Sequence, residues 1–217
     1  MSGDPFEDLA APRAVLRSET AMRGRVWDVA RDEVDLGDAG TVTREYVRHP
    51  GAVVVLALDD DDRIFFVRQY RHPVRMELWE LPAGLLDVAG EPAVAAAKRE
   101  LLEEADLRAE RWDLLADWFN SPGGLDEALR LFLARDVSLV DEADRHVRTE
   151  EEATMLGRWV PFDEALAAVM EGRVHNPGTV VGVLALNAAR ARDYKDLRPA
   201  DEPWPHHPRL AEGRSGG

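Results

Sequence analysis

The chain has 217 residues, 45% of them apolar, enough for one sizeable core with a small appendage. Lys plus Arg number 27 against 42 Asp plus Glu, a formal net charge of −15, which argues against nucleic-acid and anionic-membrane partners because both need a positive footprint. Cysteine is absent, which excludes disulfides, thiolate metal sites and a cysteine nucleophile. No apolar run approaches the ~18 residues of a membrane helix. The acidic, polar opening does not read as a signal peptide, so the expected setting is the cytoplasm.

Along the chain, residues 14–23, 26–34 and 41–48 read as three strands of a small antiparallel sheet. The Gly37-Asp38-Ala39-Gly40 turn separates the second from the third. After His49-Pro50-Gly51 the texture changes. Residues 52–58 form a continuous apolar run, as in a strand buried on both faces. An acidic turn follows, and residues 63–70 are expected to return as the second arm of a hairpin. Trp79-Glu80-Leu81 leads into a break at Pro82-Ala83-Gly84. Residues 91–105 are the strongest helix, with Val94, Ala97, Leu101 and Ala105 on one stripe and Pro92 in the first turn. Strands are expected at residues 112–119, 128–134 and 156–160, and helices at residues 162–171 and 179–191. The Pro- and Gly-rich segment from Arg198 reads as disordered. Strands around one central helix, with further helices near the end, place the fold in a mixed α/β class.

Chemistry concentrates in that central helix. Glu100, Glu103 and Glu104 stand at i, i+3 and i+4, beside the apolar stripe and not on it. Like charges so placed repel by a few tenths of a kcal/mol per pair, roughly. A hard divalent cation gives a reason to keep them, since Mg²⁺ takes carboxylate, water and phosphate oxygens. A solvated acidic helix face is the plain alternative.

The neighbouring residues decide between the two. Gly84, Glu91, Arg99, Glu100, Leu101, Glu103, Glu104 and Leu107 stand in one ordered run that resembles the signature of the Nudix hydrolases. Two departures occur. One extra residue lies between Gly84 and Glu91, in a loop where insertion is cheap. Asp106 replaces the usual second glycine, and Asp is among the few residues that tolerate the left-handed conformation a helix end asks for there.

The resemblance implies a hydrolase of nucleoside diphosphate derivatives, built as an α/β/α sandwich around a mixed sheet. It implies Mg²⁺ as cofactor, with Mn²⁺ as a substitute. Glu100 and Glu104 would be the principal metal ligands, Glu103 would support them, and the Ala83 carbonyl would join the set. Arg99 would orient the glutamates, with Glu91 as a candidate partner; an ordinary surface ion pair is the alternative. The small N-terminal sheet, Pro122, the lead-in Trp79–Gly84 and the run Glu150-Glu151-Glu152 resemble the ADP-ribose pyrophosphatases within the family. On that resemblance Glu152 is the general base that handles the attacking water, and Glu151 is second choice.

Substrate contacts are expected from Arg44, Arg48, Arg68 and Arg71, since a forked guanidinium suits phosphate; exposed surface arginines are the alternative. Trp27, read as lying on a strand, would stack on adenine or sit in a dimer core. Glu80 would accept from the adenine amino group. The expected organisation is an N-terminal dimerisation domain at residues 1–48, a hydrolase domain at 49–197 and a tail at 198–217. The partners would be a nucleoside diphosphate sugar and a second copy of the chain, with active sites shared between copies. A hydrolase of another nucleotide sugar or of a dinucleotide is the nearest rival. A non-catalytic Nudix-fold binding module is the rival of a different class, and the intact glutamates argue against it.

Overall fold

In a computed structural model, residues 6–145 and 155–208 are described. The chain divides into two units. One takes the chain up to His49, Ser121–Glu127 and the chain from Trp204; the other takes Pro50–Asn120 and Ala128–Pro203.

The first unit is built on three antiparallel strands, β1 (Ala14–Met22), β2 (Asp28–Asp35) and β3 (Thr41–Arg48), in the order β1-β2-β3. The Gly37–Gly40 turn joins β2 and β3, and both of its glycines have positive φ. Trp27 lies in the connection ahead of β2 and not on a strand, which corrects its expected placement. The Gly24 to Trp27 bend is tight: a Cβ on Gly24 would lie 2.1 Å from the Trp27 carbonyl oxygen.

The second unit holds β4 (Ala52–Ala57), β5 (Arg63–Arg71), β6 (Met76–Glu80), β7 (Ala83–Leu85), β8 (Leu107–Phe119), β9 (Ala128–Leu139), β10 (Leu156–Pro161) and β11 (Arg198–Pro199). Its helices are α1 (Ala93–Ala105), α2 (Phe162–Met170) and α3 (Pro177–Arg190). The strands form two sheets, a mixed one in the order β11-β8-β9-β4-β7 and an antiparallel one in the order β10-β5-β6.

Strand β4 explains the layering. All six of its residues are buried, as its unbroken apolar run requires. Its side chains alternate between two cores. Val53, Val55 and Ala57 pack with Ala96, Ala97, Leu101 and Ala105 of α1. Val54 and Leu56 pack with Phe162 and Ala165 of α2 and Val183 and Leu186 of α3. Ala96, and not Val94, completes the buried stripe of α1.

Three expectations are corrected. Strands β4 and β5 do not pair as a hairpin: β4 runs parallel to β9 and antiparallel to β7, while β5 joins the other sheet, and the two meet at a bridge between Leu58 and Ile64 and at the Asp59–Arg63 hydrogen bonds of the turn. The break expected at Pro82-Ala83-Gly84 contains the start of β7, at Ala83, and β6 ends before it at Glu80. The chain beyond Arg198 is ordered as far as it is described. There β11 pairs with β8, Arg198 bonds Asp117 and Glu202, and His207 is buried. The physical reason lies in β9: buried Arg130 bonds Asp117 through two nitrogens and donates to the Glu202 carbonyl at 2.7 Å, which ties down the segment after β11.

Candidate active site

Helix α1 presents its carboxylates where β7 passes close by. Residue Gly84 of β7 is the point of approach: a Cβ there would lie 1.9 Å from the Glu100 side-chain carboxyl carbon. Beside it, the Ala83 N–H donates to Glu104 Oε2 at 2.9 Å. The helix ends immediately after these residues. Asp106 caps it in the left-handed conformation, φ 53° and ψ 35°, with its N–H returned to the Leu102 carbonyl. The aspartate thus takes the backbone role in which a glycine is usual. Its carbonyl accepts from the Val140 N–H, fixing the start of β8 beside the end of β9.

Arg99 gathers the carboxylates. Its Nε and Nη2 donate to the two oxygens of Glu91 at 3.2 and 3.0 Å. Its Nη1 donates to Glu100 at 2.5 Å and to Glu103 at 3.2 Å. The hydrogen bonding of Arg99 to Glu91 is the largest influence raising the guanidinium above its ordinary pKa, and the charge of Glu100 adds to it, against the opposing effect of burial. Arg99 therefore stays protonated throughout the working pH range.

One guanidinium among Glu91, Glu100, Glu103 and Glu104 leaves this group of five side chains net anionic. The donor set is all hard oxygen, and Gly84 keeps a Cβ out of the space beside Glu100. Both features fit a hard divalent cation. Among the described residues, no three such side chains already converge on one point. In this arrangement Arg99 collects Glu91, Glu100 and Glu103, while Glu104 turns to the Ala83 amide.

The antiparallel register of β5 and β6 sorts the other expected residues. Glu80 lies opposite Val67, and Trp79 opposite Arg68. Side chains directly opposite share a face and alternate along the strand. Glu80, Val67 and Arg71 therefore share a face with Phe65, which packs in the α1 core. Arg68 and Trp79 share the other face with Phe66, in the α2–α3 core. On that face Arg68 pairs with Glu77 at 3.1 Å and lies over the Trp79 ring. On the α1 face Glu80 is 3% exposed, and its two oxygens accept from Arg71 Nε and Nη2 at 2.9 and 2.7 Å. Sequence reading named both residues without joining them.

Arg44, Arg48 and Trp27 belong to the first unit. Arg44 is exposed and bonds the Thr43 carbonyl, Arg48 bonds Ser18, and Trp27 is 43% exposed. Glu150, Glu151 and Glu152 lie outside the described residues.

Comparison with known proteins agrees with this geometry. A family model described as NUDIX domain matches residues 47–177. An ADP-ribose pyrophosphatase of Mycobacterium tuberculosis (strain ATCC 25618 / H37Rv) is 42% identical over 193 residues, spanning 89% of this chain and 91% of that protein. A methanol dehydrogenase activator of Bacillus methanolicus is 34% identical over 180 residues, spanning 83% and 95%. A solved structure described as an ADP compounds hydrolase superposes with a TM-score of 0.65 at 18% identity, covering 86% of this chain and 98% of that one. That last likeness is one of fold.

Proposed function

This chain belongs to the NUDIX family, and from that premise we propose that it hydrolyses ADP-ribose to AMP and ribose 5-phosphate. The observation that carries the chemistry is the carboxylate array of α1 against the close approach at Gly84. The substrate reading is supported by the M. tuberculosis ADP-ribose pyrophosphatase, similar over nearly the whole chain.

Glu100 and Glu104 would hold the metal, with Glu103 in support and the Ala83 carbonyl beside them. Mg²⁺ is the proposed ion, with Mn²⁺ as a substitute. When bound, such an ion neutralises the diphosphate and makes its phosphorus more electrophilic. The chain's own residues do the rest. Arg99 fixes the directions of Glu91, Glu100 and Glu103. Arg71, whose side chain is half-exposed, meets the diphosphate with its guanidinium. Glu152, or Glu151 in its place, takes the proton of the attacking water as the new P–O bond forms. The bridging P–O bond then breaks, leaving AMP and ribose 5-phosphate.

Trp27 and Arg44 would contribute base and phosphate contacts. The same reading includes a cytoplasmic homodimer with shared active sites. Exposed Val15, Leu16, Met22 and Val26 on and beside β1 support the N-terminal sheet as its interface. Light scattering at micromolar protein should give twice the chain mass; a monomer would remove the dimer.

The substrate reading is tested by kcat/KM on a panel of ADP-ribose, other nucleoside diphosphate sugars and dinucleotides. We expect ADP-ribose to lead by at least about tenfold, the ratio that ~1.4 kcal/mol of differential binding gives. A clear preference for another member would replace ADP-ribose and leave the carboxylate chemistry in place.

A further inference from the structure

From the Arg71–Glu80 pair we infer that Glu80 is a positioning residue: a buried carboxylate that holds Arg71 in the orientation that receives the substrate's diphosphate. The inference rests on the function proposed above and assigns Glu80 a role other than binding the base. Four observations lead to it. Glu80 is 3% exposed, so little of it reaches solvent or ligand. Both of its oxygens accept from one guanidinium, at 2.9 and 2.7 Å, through Nε and Nη2. The Arg71 side chain is 45% exposed, so it reaches the surface while Glu80 stays buried. The register puts both residues on the sheet face that packs with α1, the helix of the carboxylate array.

The two ends of the pair differ in what they can do. A fork-to-fork bond fixes the plane of a guanidinium as well as its position. Two of the five N–H donors of Arg71 go to Glu80, and the charge and planar fork of a guanidinium suit a phosphate. An arginine on a free four-bond stem would lose rotamer entropy on meeting the substrate; one already held loses less. Glu80 also ends β6, shortly before Ala83 and Gly84, so the same stretch of chain sets both the guanidinium and the approach to Glu100 and Glu104.

The test is a double-mutant cycle of Glu80→Gln, Arg71→Gln and the pair, in the full chain, with kcat and KM measured separately. Glu80→Gln keeps the side-chain shape and one acceptor but removes the charge. We expect KM to rise about tenfold, the change that loss of ~1.4 kcal/mol gives, with kcat within about threefold of wild type. Arg71→Gln should raise KM at least as much, and the double variant should be no worse than Arg71→Gln alone, because Glu80 acts only through Arg71. An unchanged KM in Glu80→Gln, or a further tenfold loss on top of Arg71→Gln, overturns the inference.

The diphosphate is common to every candidate substrate, so the cycle is run on whichever panel member the wild type turns over. Turnover of another member in place of ADP-ribose defeats the substrate reading and leaves this cycle decisive. Calorimetric titration with ADP provides a readout apart from turnover: Glu80→Gln should weaken ADP binding about tenfold, and equal affinity overturns the inference. Thermal unfolding separates both from loss of fold. If Arg71→Gln does not fold, Arg71→Lys, which keeps the charge and loses the fork, takes its corner of the cycle with the same expected coupling.

Discussion

Gly84→Ala isolates the geometry of the site from its chemical groups. Gly84 has a φ that any residue adopts, so alanine brings no backbone strain. Its Cβ would fall 1.9 Å from the Glu100 carboxyl carbon, 2.0 Å from Oε1 and 2.4 Å from Cγ. Carbon atoms need roughly 3.5 Å, so Glu100 must move by at least about 1.5 Å. The obstacle is the end of a flexible side chain and not backbone, so the protein yields there and keeps its fold. Moving Glu100 breaks its bond to Arg99 and takes one carboxylate out of the array. A misplacement of about 1 Å in a catalytic group costs on the order of 100-fold in rate. We expect kcat/KM for ADP-ribose to fall about 100-fold, while thermal unfolding shifts by no more than about 4 °C, equivalent to ~1–2 kcal/mol in a chain of this size. Combining Gly84→Ala with Glu100→Ala should lower activity no further than Glu100→Ala alone. Activity within threefold of wild type for Gly84→Ala would refute the reasoning, because it would mean that the position of Glu100 is immaterial.

Other variants probe neighbouring features. Arg99→Lys keeps the charge but loses the fork, so kcat should fall roughly tenfold, against roughly 100-fold for Arg99→Ala, with little change in KM. Because the Arg99 pKa is raised, its pairing is complete below its ordinary value and lost only at higher pH. The pH–rate profile should therefore show no falling limb from Arg99 up to about pH 10, and Arg99→Lys is the control for one that appears. Asp106→Val forces a β-branched side chain into the left-handed cap and should cost about 1–2 kcal/mol in denaturant unfolding, whereas Asp106→Gly should fold normally. Arg130→Ala strips Asp117 of a bidentate partner and frees the Glu202 carbonyl; calorimetry should show a Tm lowered by about 6–12 °C, from a loss of ~3 kcal/mol.

The parts of the site that follow from local spacing were legible in the sequence. Glu100, Glu103 and Glu104 share a helix face because helical periodicity puts them there, and Arg99 reaches Glu91, Glu100 and Glu103 from the same helix and the loop before it. The left-handed cap at Asp106 follows from the few residues that tolerate that conformation. The buried run of β4 was legible too, but its partners were not, since pairing with β7 and β9 joins distant segments.

The Arg71–Glu80 pair was hidden for a local reason. It depends on the register of the β5–β6 hairpin, whose turn runs through His72-Pro73-Val74-Arg75 and places Arg75 at φ 56°. Pro73 marks a turn, but no Gly or Asn marks the left-handed position that fixes the register. Arg130 was hidden in the opposite way. A single arginine in the apolar run of β9 is tolerable only because Asp117 and the Glu202 carbonyl complete its bonding, and neither is near it in sequence.

The most direct measurement is AMP release from ADP-ribose by wild type and by Glu104→Gln, each with Mg²⁺ and with chelator. Wild type with Mg²⁺ should release AMP and ribose 5-phosphate in equal amounts. Chelator should abolish that release, and Glu104→Gln should lose about 1,000-fold or more while unfolding as wild type does. Undiminished hydrolysis in chelator, or full activity in Glu104→Gln, would contradict the assignment of the α1 carboxylates as the centre of this enzyme.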